Sequence, residues 1–290
     1  MNGMTTPAAR IHVGPAGWSY EDWKGIVYPT RMPRSLHPLT FLCQYFDAME
    51  INSSFYYPAN PKHAESWVKK VEANPAFLFT AKLWERFSHQ RTSWPSETEV
   101  RQFREGLQPL FDAGRLGAVL VQFPWSYRRT PENRQWLARI VETFPEYPLV
   151  VELRHETWNV PEVYTGLAER GIAFCNIDQP LFAHSIAPSA QVTAPVGYIR
   201  LHGRNYGNWF REEAGRDDRY DYLYSEEELK PWLEKLEGMR PLVNDLFVIT
   251  NNHYRGQAVV NALEIQAAIG REIPPLPAGL VAAYPRLAAK

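Results

Sequence analysis

Eight short apolar segments recur along this 290-residue chain, and segments with helical periodicity separate them. The apolar segments cover residues 11–14, 48–52, 77–82, 118–123, 149–154, 172–178, 196–202 and 246–251. A regular alternation of strand and helix builds a parallel sheet, and eight such units close a TIM-type barrel. We therefore predict an α/β fold, a (β/α)8 TIM-type barrel, and we expect residues 1–290 to form one domain.

The segments between the predicted strands carry helix-starting residues. Thr130 and Pro131 precede one apolar stripe, and Ser225 with Glu228 forms a capping-box pattern before another. The sixth unit is different, because prolines at positions 180, 188 and 195 leave little room for a helix. We predict a degenerate sixth helix there. The longest irregular segment, residues 203–224, follows the seventh strand, and such loops are commonly lids or binding loops.

Composition excludes several classes of protein. The net charge of -1 and pI of about 6.7 provide no overall positive field for a nucleic acid, which makes nucleic acid an unfavoured partner. The chain has no apolar stretch of about 18 residues, and its first ten residues lack a signal-peptide core. We expect a cytoplasmic protein with no membrane partner. The sequence indicates no oligomeric state.

Polar residues inside the predicted strands are the main functional signal. In the second strand Met49 and Ile51 are apolar and face the helices, so Glu50 points into the barrel. The same alternation assigns further polar side chains to the interior: Asn52, Lys82, Gln122, Glu152, Arg154, Asn176, Asp178, Arg200 and His202. They lie near the carboxyl ends of their strands, where TIM-barrel active sites occur.

A purely structural interpretation of these charges also exists. Charges inside a barrel cost several kcal/mol each unless they are paired. Three acids, Glu50, Glu152 and Asp178, stand against three bases, Lys82, Arg154 and Arg200, and could neutralise one another in an ion-pair network. We favour a functional role, because buried ion pairs are poor stabilisers and aliphatic side chains fill a barrel equally well.

Ordered motifs along nearly the whole chain resemble the YecE-like family, also called domain of unknown function 72 (DUF72). The motifs are Gly14-Pro-Ala-Gly-Trp18-Ser-Tyr20, Glu50-Ile-Asn52-Ser-Ser-Phe55-Tyr56, Gln122-Phe-Pro124, Glu152-Leu-Arg154-His155-Glu-Thr-Trp158, Arg200-Leu-His202-Gly203 and Asn251-Asn252-His253, with Lys82 and Asp178 between them. The resemblance implies a barrel fold and no particular reaction. Pro15 and Ala16 depart from the hydroxyl residues more usual in the family, which removes any hydroxyl contact from that turn.

The leading functional hypothesis is an enzyme, with hydrolysis one candidate reaction, that binds a phosphate-bearing or other anionic small molecule. Lys82, Arg154 and Arg200 are expected to bind the anion. Further substrate-binding candidates are Trp18, Tyr20, Asn52, Gln122, Asn252 and His253. The candidate catalytic residues are Glu50, Glu152, Asp178 and His202. No cofactor is firmly indicated, although these four could also hold a divalent metal.

Two alternatives remain at this stage. The first is a carbohydrate-active enzyme that uses Glu50 and Glu152 as its paired carboxylates, with aromatic residues at the rim. The second is a non-catalytic barrel that binds nucleic acid or protein through the basic and aromatic loop after the seventh strand. The arginines of that loop are Arg204, Arg211, Arg216 and Arg219, but interleaved acidic residues favour a solvated loop.

Overall fold

A computed structural model describes residues 9–33, 36–207, 209, 211 and 216–289, and eight parallel strands form its centre. The strands are β1 (Arg10–Pro15), β2 (Ala48–Ile51), β3 (Leu78–Lys82), β4 (Leu116–Gln122), β5 (Leu149–Glu152), β6 (Ala173–Asp178), β7 (Val196–Leu201) and β8 (Asp245–Thr250). Their order is β1-β8-β7-β6-β5-β4-β3-β2. This arrangement confirms the predicted (β/α)8 TIM-type barrel.

The strands β1 and β2 meet at the seam of the barrel. They share one isolated bridge, between Ala16 and Glu50, and the Gly17 amide donates to the Glu50 carbonyl at 2.9 Å. Gly14 lies at this seam, where a Cβ atom would stand 1.8 Å from the Ala48 carbonyl oxygen. Only glycine permits the two backbones to approach so closely.

Helices connect the strands, and the longer ones pack on the outside of the barrel. They are α1 (Pro38–Leu42), α2 (Ser53–Tyr56), α3 (Pro61–Lys70), α4 (Glu85–Ser88), α5 (Glu97–Asp112), α6 (Pro131–Thr143), α7 (Pro161–Ala168), α8 (Arg216–Arg219), α9 (Glu226–Met239), α10 (Gln257–Ala268) and α11 (Ala278–Ala283). Short 3-10 turns span Glu21–Trp23, Glu156–Trp158, Arg240–Leu242, Tyr254–Gly256 and Pro285–Ala289. None of the helices in the described ranges has the length and apolar character needed to cross a bilayer.

Local sequence explains where the longer helices begin. The Ser225 side chain accepts from the Glu228 amide and Glu228 reaches back to the Ser225 amide, so the predicted capping box is present at α9. Thr130 caps α6, with Pro131 in its first turn. The buried faces of these helices pack on the outer, apolar side chains of the strands, which together form a continuous core.

The two predicted irregularities are both present. Residues 179–195, between β6 and β7, contain no helix, as the prolines indicated. Residues 203–224 form a long connection that holds only the short helix α8 among its described residues. Of the loop arginines, the side chain of Arg216 lies outside the described residues.

Candidate active site

Arg200, on β7, is the centre of a buried charge network inside the barrel. Its Nε and Nη2 donate to the two carboxylate oxygens of Glu50 at 3.0 and 2.6 Å, and its Nη1 donates to Glu152 at 3.1 Å. All three side chains are at most 1% exposed. The inward positions that strand alternation predicts on β2, β5 and β7 are therefore correct. Arg200 meets the Glu50 carboxylate with two parallel donors, the geometry that suits a guanidinium group.

Arg154 and His202 complete this network around Glu152. Arg154 Nη2 lies 2.6 Å and His202 Nε2 lies 3.2 Å from Glu152 Oε1. The Asn251 amide lies 3.1 Å from His202 Nδ1, an arrangement that suits a neutral ring with its proton on Nε2. Two carboxylates thus balance two guanidinium groups, so the ion-pair interpretation describes the contacts of Glu50, Glu152, Arg154 and Arg200.

The network fixes the ionisation of its members. Burial would raise the pKa of the Glu152 carboxyl, but the neighbouring charges, Arg154 first among them, hold that pKa well below its usual range. Burial lowers the pKa of His202 to about 3. At neutral pH Glu152 is consequently a carboxylate without a proton to donate, and His202 is uncharged.

The buried imidazole makes stability depend on pH. His202 titrates near 6.5 in the unfolded chain and near 3 in the folded chain. Between these values the unfolded state carries the extra proton, so stability decreases as pH falls, by about 1.4 kcal/mol per pH unit well below 6.5. Urea unfolding between pH 7 and 5 measures how the free energy of unfolding changes with pH. We expect His202→Gln to remove the contribution of His202 from this slope.

The matched control for that measurement is His63→Gln, because His63 is exposed. The control should keep the wild-type slope. An unchanged slope in His202→Gln would contradict a neutral buried ring, whatever the change in absolute stability.

Above the network lies a cavity of about 310 Å³. Its wall consists of Tyr20, Asn52, Tyr56, Lys82, Arg200, Arg219, Tyr220, Asn251 and His253. Among its described residues, the wall thus contains three cationic side chains and no carboxylate. Because Arg154 and Arg200 are already balanced by Glu50 and Glu152, the charges of Lys82 and Arg219 give this cavity a positive potential.

Unlike Arg154 and Arg200, Lys82 and Arg219 have no acidic partner among the described residues. The Lys82 ammonium lies 3.9 Å from the centre of the Phe55 ring. The Arg219 Nε is buried and bonds to no described group. Burial and the charge of Arg200 lower the pKa of Lys82 to about 7. Lys82 is thus partly protonated at neutral pH.

An adjoining cavity of about 540 Å³ shares Tyr20, Asn52 and Tyr56 with the first. Trp18 and Trp67 contribute aromatic walls to it and meet edge to face, with ring centres 5.4 Å apart. Its remaining lining is Gly17, Ser19, His37, Ser53, His63 and Ser66. The two cavities together bring Lys82 and Arg200 near four of the predicted substrate-binding residues: Trp18, Tyr20, Asn52 and His253.

Asp178 does not join the network, so its predicted inward position is wrong. Its carboxylate accepts hydrogen bonds from Arg204 at 2.8 and 2.7 Å, from Trp232 of α9 at 2.6 Å and from Tyr224 at 3.0 Å. These partners lie on the outside of β6. The predicted inward position of Asn176 is wrong as well, because its side chain bonds to the carbonyl of Gln191 and to Ser189.

The missing sixth helix explains the error. The alternation argument assumes an apolar helix on the outer face of each strand, but the irregular segment 179–195 and α9 cover the outer face of β6 and offer polar partners there. Polar side chains are satisfied there, so alternation no longer identifies the interior.

Two other candidates also lie away from the cavities. The Asn252 amide donates to Asn261 of α10 at 2.8 Å and to the Tyr222 carbonyl at 2.7 Å, which fixes the turn after β8. Gln122 ends β4, is half-buried, lines neither cavity and bonds through its side chain to none of the described residues. The structure thus gives Asn252 an anchoring role.

Sequence reasoning missed Tyr198 and Arg219. The Tyr198 hydroxyl donates to Glu50 at 3.1 Å, and parity with Arg200 on the same strand could have identified it. Arg219 was assigned to a solvated loop because acidic residues surround it in the sequence. No pattern in the sequence indicates that its guanidinium faces the barrel.

The donor set does not suit the divalent metal considered from the sequence. Glu50 and Glu152 direct their oxygens at guanidinium groups, and Asp178 lies outside the barrel. Within the described ranges, no three His, Cys, Asp or Glu side chains converge as metal ligands.

Comparison with known proteins places the chain in a family. The family model described as "Protein of unknown function DUF72" matches residues 12–281. The UPF0759 protein YunF of Bacillus subtilis (strain 168) is 27% identical over 268 residues, which are 88% of this chain and 93% of that protein.

Solved structures give the same result. The structure of a DUF72 family protein from Thermotoga maritima MSB8 is 35% identical with a TM-score of 0.77, covering 90% of this chain and 99% of that one. The structure of a DUF72 family protein from Enterococcus faecalis V583 is 25% identical with a TM-score of 0.78, covering 92% of this chain and 98% of that one. The chain therefore belongs to the DUF72 family.

Proposed function

We propose that this protein is an enzyme that binds a small anionic molecule at the carboxyl end of its barrel. The observation that carries the proposal is the wall of the 310 Å³ cavity, whose described residues present Lys82, Arg200 and Arg219 and no carboxylate. Two of these cations have no acidic partner among the described residues, and an anionic ligand would supply the missing charge. The uncharged remainder of the ligand would lie against Trp18 and Trp67 in the adjoining cavity.

Lys82 is the residue in this cavity best suited to proton transfer. With a pKa of about 7 it exists in both protonation states near neutral pH, which is the property required of a general acid or base. A hydrolytic reaction at this site would therefore use Lys82 to accept a proton from water. Glu50 and Glu152 serve as supports, because their interactions hold Arg200 and Arg154 in place.

The alternative functions have less support. A glycosidase needs one carboxyl group that donates a proton, but the pKa of Glu152 is held well below its usual range. Both glutamates are also fully buried and line neither cavity. For nucleic-acid binding through the loop, Arg204 would have to leave Asp178, to which it donates two hydrogen bonds.

Sulfate titration tests the proposal, because sulfate keeps its charge throughout the neutral range. We expect calorimetry to show saturable binding that Lys82→Met weakens at least about tenfold, since a charged hydrogen bond contributes about 1.5–3 kcal/mol. Binding should also weaken as pH rises through about 7, because Lys82 then loses its proton.

The control variant is Lys62→Met, which removes an exposed lysine and should leave the affinity unchanged. Lys82→Arg should abolish the pH dependence while retaining binding, because an arginine stays charged. Equal sulfate affinity in wild type and Lys82→Met would contradict the proposed site.

A further inference from the structure

Lys82 presents an amine to the cavity from a rigid position. It is the last residue of β3, and its carbonyl accepts a hydrogen bond from the Ser54 hydroxyl at 2.8 Å. The next residue, Leu83, donates its amide to the Leu120 carbonyl at 2.8 Å. The barrel therefore fixes the backbone of Lys82. Such rigidity is required of a group that must meet a substrate in one geometry.

The surroundings of the amine favour its neutral form. The Phe55 ring lies 3.9 Å away and excludes water from one side, which opposes the weaker attraction of its face for an ammonium. None of the described carboxylates lies within ion-pair distance. Arg200 and Arg154 oppose a charge on Lys82, while Glu50 and Glu152 favour it from behind the guanidinium groups. An apolar wall and neighbouring cations are the two conditions that activate lysine as a nucleophile.

A role limited to anion binding would not explain this environment. A residue that only holds an anion is better as arginine, which stays charged and offers several fixed donors. The cavity already contains Arg200 and Arg219 for that purpose. An amine that shares their cavity and is partly neutral near pH 7 has a free electron pair available to a bound substrate.

We propose that Lys82 forms a covalent imine with a substrate that is an aldehyde or ketone bearing a phosphate or carboxylate group. The inference rests on the proposed function, because Arg219 and Arg200 are the groups that hold the anionic part. The carbonyl carbon then lies beside Lys82 Nζ, and the rest of the molecule extends toward Tyr56 and Asn52.

The step needs no reagent beyond the substrate. The nitrogen electron pair forms a bond to the carbonyl carbon, the carbonyl electrons move to oxygen, and a proton passes from nitrogen to that oxygen. The resulting carbinolamine loses its hydroxyl group together with the second nitrogen proton as water, which leaves the C=N bond. Once protonated, this imine attracts electrons from the adjacent carbon and permits proton removal or bond cleavage there.

Reductive trapping tests the inference on the full chain. The probes are glyceraldehyde 3-phosphate and the uncharged glyceraldehyde, each added with cyanoborohydride at pH 7, and peptide mass spectrometry locates the reduced adducts. We expect glyceraldehyde 3-phosphate to modify Lys82 at least about tenfold faster than the exposed Lys62, because Lys82 has far more free amine. Sulfate should slow this reaction, and glyceraldehyde should react more slowly.

The outcomes separate the two proposals. If sulfate binds but Lys82 is modified no faster than Lys62, the imine is overturned and the anionic site stands. If both aldehydes modify Lys82 equally and sulfate gives no protection, the anionic site is overturned while the reactive amine stands. The variant Lys82→Arg should bind sulfate and form no adduct at position 82, which shows that trapping reports the amine and not the charge.

Discussion

Replacing Arg200 by methionine is expected to lower the free energy of unfolding by about 3–5 kcal/mol. The guanidinium group is 1% exposed and pairs with two carboxylates that are 0% exposed, and it is the counter-charge of Glu50. Without it, the Tyr198 hydroxyl is the one hydrogen-bond donor to the Glu50 carboxylate that remains among the described residues. Leaving a buried carboxylate without a counter-charge is strongly destabilising. Urea unfolding at pH 7 measures the loss.

Arg240→Met is the control, because its pair with Glu237 is largely exposed and its removal should change stability by less than about 1 kcal/mol. Combining Arg200→Met with Glu50→Gln should recover part of the loss, since Glu152 then still has Arg154 as its counter-charge and no unpaired carboxylate is left. A loss below about 1 kcal/mol in Arg200→Met would show that the carboxylates do not need this partner.

Replacing Gly14 by alanine is expected to cost about 3 kcal/mol. The added Cβ would stand 1.8 Å from the Ala48 carbonyl oxygen, and this contact is with backbone that cannot rotate away. The strands β1 and β2 would have to separate at the seam, which would also disturb the bridge between Ala16 and Glu50. Thermal and urea unfolding of the variant test this expectation.

Gly238→Ala is the matched control. Gly238 lies in α9 and a Cβ there meets nothing within 4 Å, so alanine should stabilise the protein by about 0.5–1 kcal/mol. Equal stability of Gly14→Ala and the wild type would contradict the close approach at the seam.

The barrel itself could be predicted because its determinants are local. Alternation of apolar residues identifies strands, and capping residues such as Ser225 and Thr130 mark helix starts. Parity also identified Glu50, Glu152 and Arg200, because helices cover the outer faces of those strands and leave the interior for polar groups. It failed at Asp178, because no helix follows β6 and polar groups such as the Trp232 indole of α9 satisfy the carboxylate on the outer face.

The sequence could not predict which acidic side chain pairs with which basic one. The sequence supplies several acids and bases at the same end of the barrel, and only their distances decide which of them pair. Glu152 is shared by Arg154 and Arg200, which leaves Lys82 without an acid among the described residues. Arg219 comes to the cavity through the fold of a long loop, and no periodicity constrains such a segment.

The central claim is that the cavity beside Lys82 and Arg219 is an anion-binding site, and locating an anion tests it most directly. Crystals of the full chain soaked in selenate, measured at the selenium absorption edge, would show where the anion binds. The account predicts an anomalous peak within hydrogen-bonding distance of Lys82 Nζ and the Arg219 guanidinium. Ordered selenate elsewhere, with a carboxylate paired to Lys82 and only water in the cavity, would contradict it.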